Sequence, residues 1–413
     1  MHILLIHQAF TTLEEAGGTR HIEFARHLAK HGHQITIISS PISYLTGKPR
    51  RPLIKWQEKQ ELEPGITIYQ TYTYPLLHQS FFHRVLSFIS FMFSSFFAGI
   101  KIHQVDLVWG TSPPIFQSVT AWLLAKTKKA PFVLEIRDLW PAFAIAMGVL
   151  KNPILIKSSQ WLESFLYKQA NQVIVNSPGF IDYVTERGAR YVQLIPNGAD
   201  PAMFSEPANG KNYRRQLELE DKFVVTYAGA HGPSNDLGVV LQAAEILKDK
   251  KDICFLLVGD GKEKKVLQNH ASLRDLNNVR FMPPVPKLEV HRILAASDAC
   301  IAILKPLEWY KTTYPNKVFD YMAAERPVIL AIDGVIREVI EHANAGIFVK
   351  PGDPQALAQA ILSLYQNPEQ SKQLGKNGRA YVIKYFDRDK IAEQLIQLLE
   401  EMVGKYERKN LNR

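Results

Sequence analysis

Cysteine is scarce: the 413 residues include only Cys254 and Cys300, each inside an apolar run, "KDICFLLVG" and "SDACIAIL". Two thiols in buried-strand contexts exclude a disulfide framework and a cysteine-held metal, and they suit a reducing compartment. Several catalytic signatures are missing as well. No G-x-G-x-x-G follows a strand, which argues against nicotinamide and flavin enzymes, and there is no G-x-x-x-x-G-K-[ST] phosphate loop. H-E-x-x-H, paired Cys-x-x-Cys and G-x-S-x-G are absent, so zinc-protease and serine-hydrolase chemistry falls away. With no metal-ligand cluster in view, metal-independent catalysis without a cofactor is expected. The N-terminus "MHILLIHQAF" has neither a basic leader nor a small-residue cleavage site, which predicts a chain that stays in the cytoplasm. No basic stripe interleaved with aromatics occurs, so no nucleic-acid partner is expected.

What is present is ordinary in bulk and patterned in detail. Hydrophobic residues make up 46% and charged residues 22%, the balance of a globular protein, and the length fits two domains. The net charge is +9, and residues 1–200 carry 19 Lys/Arg against 13 Asp/Glu. That bias suits an acidic surface or ligand near the first half, although a solvated basic face explains it equally well.

Short β-rich runs alternate with helical patterns throughout, the mark of parallel α/β layers. The first half reads as strands at "HILLIH", "QITIIS", "ITIY", "DLVWG", "FVLEI" and "QVIVN", with helices over Thr19–His31, Ile115–Lys126 and Pro153–Gln169. The second half restarts with "KFVVTYAG", "ICFLLVG", "NVRFM", "ACIAIL", "PVILAI" and "GIFVK". Between them "LIPNGADPAMF" has the Pro and Asn-Gly punctuation of a hinge. The pattern predicts two doubly wound domains facing each other: residues 1–200, residues 201–385, and an amphipathic helix at 386–413 packing back on the body. Ligands of such sheets bind beyond the carboxyl ends of the strands, so the cleft between domains is the expected site.

The stretch "YPNKVFDYMAAERPVI" (Tyr314–Ile329) is unusual for a helix start. Lys317 in the first turn opposes the helix dipole at a cost of about 0.3–1 kcal/mol. Either Lys317 bends out to solvent, or an anion such as phosphate meets the ammonium and the free N–H groups together. Glycine marks two strand-to-helix turns, Gly17-Gly18 and "GDGKEKKVL" from Gly259; tight geometry and phosphate approach are both open readings there. "RDLWP" (Arg137–Pro141) follows a strand, so Asp138 and Arg137 should project into the cleft, unless the two merely fix the loop. His7 and His103 stand alone, as structural histidines do, and His7 and Ser112 lie at strand ends.

These motifs, in this order, resemble one family. "GG" then helix and "HGHQITIIS", followed by "IPNGAD", "YAG", "VGDG" and "PNKVFDYMAAERPVI", resemble the retaining, GT-B-fold glycosyltransferases of family 4. "EIRDLWPAFAIAMGVL" and the Pro315–Pro327 pattern are similar to the WbuB-type fucosamine transferases of bacterial surface-polysaccharide assembly. The resemblance runs from His2 to about Tyr385. It implies a donor domain in the second half, a UDP-sugar donor, an N-acetylated amino sugar and a lipid-linked acceptor, with Asp138 a candidate for a sugar hydroxyl, Arg137 for a phosphate, and His7 and Ser112 the acceptor-side candidates. Asp320 takes the place of the acid that binds the donor ribose, and two carboxylate oxygens suit two adjacent hydroxyls. The first acid of the family's Glu-x7-Glu pattern falls at Thr312, so a backbone amide or Lys311 would have to substitute. Glu325 replaces a helix-ending glycine. The Arg and Lys that follow "YAG" in the family are missing from "YAGAHGPSNDLG"; His231 and amides near Gly229 and Gly232 would take the diphosphate, with Asn316, Lys317 and Lys262, and Gly18 would close the pocket. Lys317 would then stabilise the leaving diphosphate. A nucleotide-sugar epimerase and a non-catalytic membrane scaffold are the rival readings; the departures at Thr312 and Ala230 fit the second.

One segment stands apart. "FFHRVLSFISFMFSSFFAGIK" (Phe81–Lys101) holds seven of the 21 phenylalanines, and Val85–Ile100 has no charge. A spanning helix needs about 20 apolar residues. An in-plane membrane-docking helix, a buried core helix and a spanning helix are all open, with docking the first choice because it suits a lipid-linked acceptor. "GKPRRPLIKW" (Gly47–Trp56) could lie against anionic headgroups. A peripheral place on the cytoplasmic membrane face is the expectation.

Overall fold

A computed structural model of the chain describes residues 1–205 and 208–411. The chain forms two compact units. The first takes residues 1–12, 18–196 and 389–413, and the second residues 13–17 and 197–388. The break thus falls between Pro196 and Asn197, just before the expected 200/201. The closing helix, Arg388–Leu411, belongs from Asp389 onward to the first unit, where His27 meets Asp389 at 3.0 Å and His33 meets Glu400 at 3.2 Å.

The first unit is built on an eight-stranded sheet. Its strands are β1 (His2–Ile6), β2 (Gln34–Ser39), β3 (Gln57–Glu63), β4 (Ile66–Thr71), β5 (Leu107–Ser112), β6 (Phe132–Ile136), β7 (Gln172–Val175) and β8 (Val192–Leu194), in the order β3-β4-β2-β1-β5-β6-β7-β8. All pairings are parallel except β3 with β4. β1, β2, β5 and β6 are short Ile/Leu/Val-rich runs buried almost end to end, as strands covered by helices on both faces must be. The edge strand β3, "QEKQELE", has no apolar residue but its single Leu, and its charges blunt an otherwise sticky edge.

The second unit repeats the plan with six parallel strands: β9 (Phe223–Ala228), β10 (Ile253–Val258), β11 (Val279–Met282), β12 (Ala299–Ile303), β13 (Val328–Ala331) and β14 (Gly346–Phe348). Their order is β11-β10-β9-β12-β13-β14. Both sheets are therefore doubly wound, and strand order reverses at β1/β5 and at β9/β12. At such a reversal the flanking crossovers run to opposite faces, leaving a crevice at the carboxyl ends. Cys254 and Cys300 are buried in β10 and β12, as their apolar surroundings imply.

Candidate functional site

The crevice at β9/β12 is made by three pieces of chain. β9 ends at Ala228 and runs into "GAHG"; β10 ends into "GDG"; the helix Asn316–Ala323 comes in with its N-terminus. Glycine is required where the loops meet. Gly259 has φ +147°, and a Cβ on it would lie 1.8 Å from Gly229 O; Gly261 has φ +155°, with a Cβ 2.6 Å from His231 O. Tyr321 clamps the helix to the end of β9, its hydroxyl accepting from Ala228 N at 2.9 Å.

Lys317 does not bend out to solvent. Its ammonium donates to the Tyr227 hydroxyl at 2.7 Å, sits 4.0 Å from the centre of that ring, and comes within 3.5 Å of Asn235 Oδ1. A Cβ on Gly229 (φ +156°) would lie 2.8 Å from Nζ, so the glycine makes room for the cation. Burial pulls the Lys317 pKa down to about 7. An anion arriving here would restore the charge. One turn on, Asp320 is buried, and its Oδ2 takes Lys287 Nζ at 2.6 Å and Asn316 Nδ2 at 3.4 Å. Asn316 Oδ1 in turn accepts from Arg388 Nη2 at 3.2 Å. Lys317, Asn316, Asp320 and Gly229 are therefore brought together, on a helix N-terminus whose amides favour anions.

Other expected donor residues are placed differently. The His231 ring is wholly buried with neither ring nitrogen partnered, the residue's backbone N–H donates to Asp260 O at 2.8 Å, and burial lowers the ring's pKa to about 4. It is an internal ring, and the diphosphate role expected of it rests on the motif resemblance. Lys262 is exposed, while Lys264 lies beneath the turn, donating to Gly259 O at 2.7 Å and Met282 O at 2.9 Å. Gly232 has φ −107°, open to any residue, and begins the short turn Pro233–Asn235. Lys311 does not replace the missing acid, being paired outward with Glu308 at 2.8 Å, and Thr312 bonds Trp309 O. Glu325 keeps the left-handed turn of the glycine it replaces, with φ 56°.

At the corresponding crevice of the first unit, β1/β5, the side chains at the strand ends are buried. His7 is buried, its ring 4.1 Å from that of His21, and burial together with nearby cations pushes its pKa well down. Ser112 is buried too, its carbonyl taking Arg137 N at 2.8 Å. Both side chains are buried, and the acceptor-side role expected of them rests on their place at strand ends. Gly18 belongs to this unit, and its carbonyl accepts from Thr11 Oγ1 at 2.8 Å; a Cβ there would touch nothing. Arg137 is half-buried and its guanidinium donates to Pro113 O. Asp138 is exposed; the protein around its loop pushes its carboxyl upward against the pull of Arg137. No ion pair joins these two among the described residues, so the loop-fixing pair is not the arrangement found.

Known structures and families agree with this architecture. Sucrose-phosphate synthase from Thermosynechococcus elongatus superposes with a TM-score of 0.79 at 19% identity, over 98% of this chain and 99% of that one. Anabaena HepE, solved in complex with UDP, gives 0.71 at 17% identity over 97% and 100%. Residues 209–381 match the family Glycosyl transferases group 1, and residues 17–198 the Glycosyl transferase 4-like domain. The chain belongs to the GT-B glycosyltransferases. A full-length relative of this glycosyltransferase is WcaI of Escherichia coli (strain K12), which carries the name of a colanic acid biosynthesis glycosyl transferase. It is 25% identical over 387 residues, 91% of this chain and 93% of that protein.

Sequence reasoning missed polar and charged groups that hold the glycosyltransferase's two crevices. In the second unit these are the neutral Tyr227 and the charged Lys287 and Arg388. In the first, Glu135 is wholly buried in β6 and takes Arg20 Nε at 2.8 Å and His21 Nε2 at 2.7 Å. Arg20 also donates to Ile195 O and Pro196 O, each at 2.6 Å. His21 and Arg20 hold the Glu135 carboxyl far below the usual carboxylate range. An acid inside "FVLEI" was the available signal, since Glu is almost never fully buried without partners.

Proposed function

We propose that this glycosyltransferase moves a sugar, with retention, from a UDP-sugar to a lipid-linked saccharide acceptor in surface-polysaccharide synthesis. The observation that carries the reading is Lys317, its ammonium held beside Gly229 at a helix N-terminus with Asp320 one turn on. The β-phosphate of the donor would sit at Lys317 and the helix amides, and the ribose hydroxyls at Asp320. As the bond from C1 to the β-phosphate oxygen breaks, negative charge grows on the departing UDP, and a cation preorganised there stabilises it. The acceptor hydroxyl attacks C1 from the same face and gives its proton to the leaving phosphate. Lys317 supplies the charge in this scheme, so metal-free turnover is part of the proposal. Asp138 is the exposed group of the first unit available to a sugar hydroxyl, with Arg137 beside it.

HepE's complex with UDP supports the base, and WcaI's name supports the polysaccharide setting. The N-acetylated amino sugar and the WbuB-type fucosamine specificity rest on the motif resemblance. A lipid-linked acceptor places the reaction at the cytoplasmic face of a membrane, with the chain a peripheral partner. Calorimetric titration of UDP, GDP and ADP without metal tests the donor site. UDP should bind preferentially, and Asp320→Ala should weaken it about 10–100-fold, the loss of hydrogen bonds to a charged group. Asp320→Asn, which keeps the side chain's shape, separates lost binding from lost folding. No nucleotide binding by folded wild-type protein would sink the reading.

A further inference from the structure

The helix Phe81–Ile100 hides what a surface helix usually shows. Its buried side is small and polar: Ser87, Ser94, Ser95, Ala98 and Gly99, with Phe91. Hydrogen bonds fix that side to the body. Tyr74 N donates to Ser90 Oγ at 2.8 Å, Ser94 donates to Tyr72 O at 2.6 Å, and Thr120 donates to Met92 O at 2.8 Å. A Cβ on Gly99 would fall 2.4 Å from Leu124, so the helix lies tight against the helix Ile115–Lys128. The outward stripe is Phe82, Leu86, Ile89, Phe93, Phe97 and Ile100, at helical spacing; Phe82, Phe93 and Phe97 are 66%, 54% and 52% exposed.

The patch continues beyond this helix. On the helix Pro153–Gln169, Ile154 and Trp161 are 74% and 67% exposed. Ring contacts connect the three helices: Phe88 to Phe116 at 6.3 Å, Trp122 to Phe165 at 4.9 Å, and Trp161 stacked on Phe165 at 5.6 Å. Charge on this layer has one sign. The three helices contain a single acid, Glu163, which is buried, whereas Lys126, Lys157 and Lys168 are exposed, with Lys101 at the end of the first helix. Exposed aromatics beside lysines, with no exposed carboxylate on the same helices, complement a bilayer interface with anionic headgroups.

We propose that this three-helix face docks the protein in the plane of a membrane containing anionic lipid, with Phe82, Phe93, Phe97 and Trp161 at headgroup depth. The helix Phe81–Ile100 is long and apolar enough to cross a bilayer by length and composition. Crossing would strip its serine face of the bonds to Tyr72, Tyr74 and Thr120 inside hydrocarbon, where nothing replaces them. In-plane docking keeps them all. The proposal rests on the membrane-bound acceptor of the proposed function only for its purpose.

Co-sedimentation of the full chain with vesicles of phosphatidylcholine, alone and with about a third phosphatidylglycerol, tests it. The anionic vesicles should bind the protein, less at high salt, with a blue shift of tryptophan fluorescence. Phe93→Ser/Phe97→Ser/Trp161→Ser should lose at least about tenfold in binding. Lys126→Glu/Lys157→Glu, which changes only exposed side chains, should lose about as much on anionic vesicles. UDP titration in parallel keeps the two readings apart: vesicle binding lost with UDP binding retained concerns this face alone. Wild-type protein that ignores both vesicles, or variants that bind as wild type does, would overturn the proposal. So would a wild-type dimer that the serine variant converts to monomer without vesicle binding, because the face would then cover a second copy.

Discussion

The two sheets share one wiring and treat charge in opposite ways where strand order reverses. At β9/β12 a lysine is held half-buried with its ammonium partnered by neutral oxygens of Tyr227 and Asn235. At β1/β5 the polar groups are closed on themselves: Glu135 between Arg20 and His21, and the neutral Gln117 taking Gln8 N at 2.6 Å while donating to Thr111. A cation without a counter-charge is a site waiting for an anion, and a completed ion cluster is a structural joint. Topology makes the crevice in each unit, and the side chains decide whether it stays receptive.

That contrast breaks most sharply in the first unit. Glu135→Ala removes the buried carboxylate that Arg20 and His21 both hold, and should destabilise that unit by about 3–5 kcal/mol. Denaturant unfolding followed by circular dichroism measures it, and a loss below about 1 kcal/mol would show the cluster is not a joint. In the second unit the same kind of deletion should move chemistry rather than folding. Lys317→Ala removes a cation whose burial is already unfavourable, so the unfolding midpoint should hold or rise. Sugar transfer should fall about 10²–10³-fold in kcat, the size seen when one preorganised donor to a developing oxyanion is removed. Equal loss in both variants of stability alone would erase the distinction.

Much of this was legible in the sequence, for identifiable reasons. The strands from "HILLIH" to "GIFVK" stood out because a parallel strand buried on both faces must be a short apolar run. β3 was missed because "QEKQELE" is an edge whose pattern is set by solvent and not by core. Lys317 and Asp320 were found because both break the expected pattern of one helix. Lys287 and Arg388 were not, because their partners Asp320 and Asn316 lie 33 and 72 residues away in sequence. The burial of His231 was hidden for a related reason: sequence puts it in the loop after β9, and its packing against Tyr227 and Phe281 is tertiary.

The comparison is finest in pH dependence, where the two units should respond with opposite sign. In the first unit Glu163 is buried; the hydroxyls of Tyr167 and Tyr183 donate to it at 2.8 and 3.2 Å, and Arg187 lies 3.7 Å away. Burial outweighs these partners and pushes its carboxyl up to about 7. A carboxyl raised on folding binds more protons in the folded state, so its stabilisation is full below the unfolded value near 4.5 and is lost as pH climbs through about 7. The loss amounts to roughly 3 kcal/mol. Lys317, lowered by burial to about 7, binds fewer protons when folded, so its contribution rises from pH 7 upward until the unfolded lysine also titrates. Glu163→Gln should flatten the fall in stability between pH 4.5 and 7, and Lys317→Met should flatten the rise above 7. Chemical denaturation across that range, followed for each variant, reads both slopes. Two slopes of the same sign would mean that one of these groups is not buried as the structure has it.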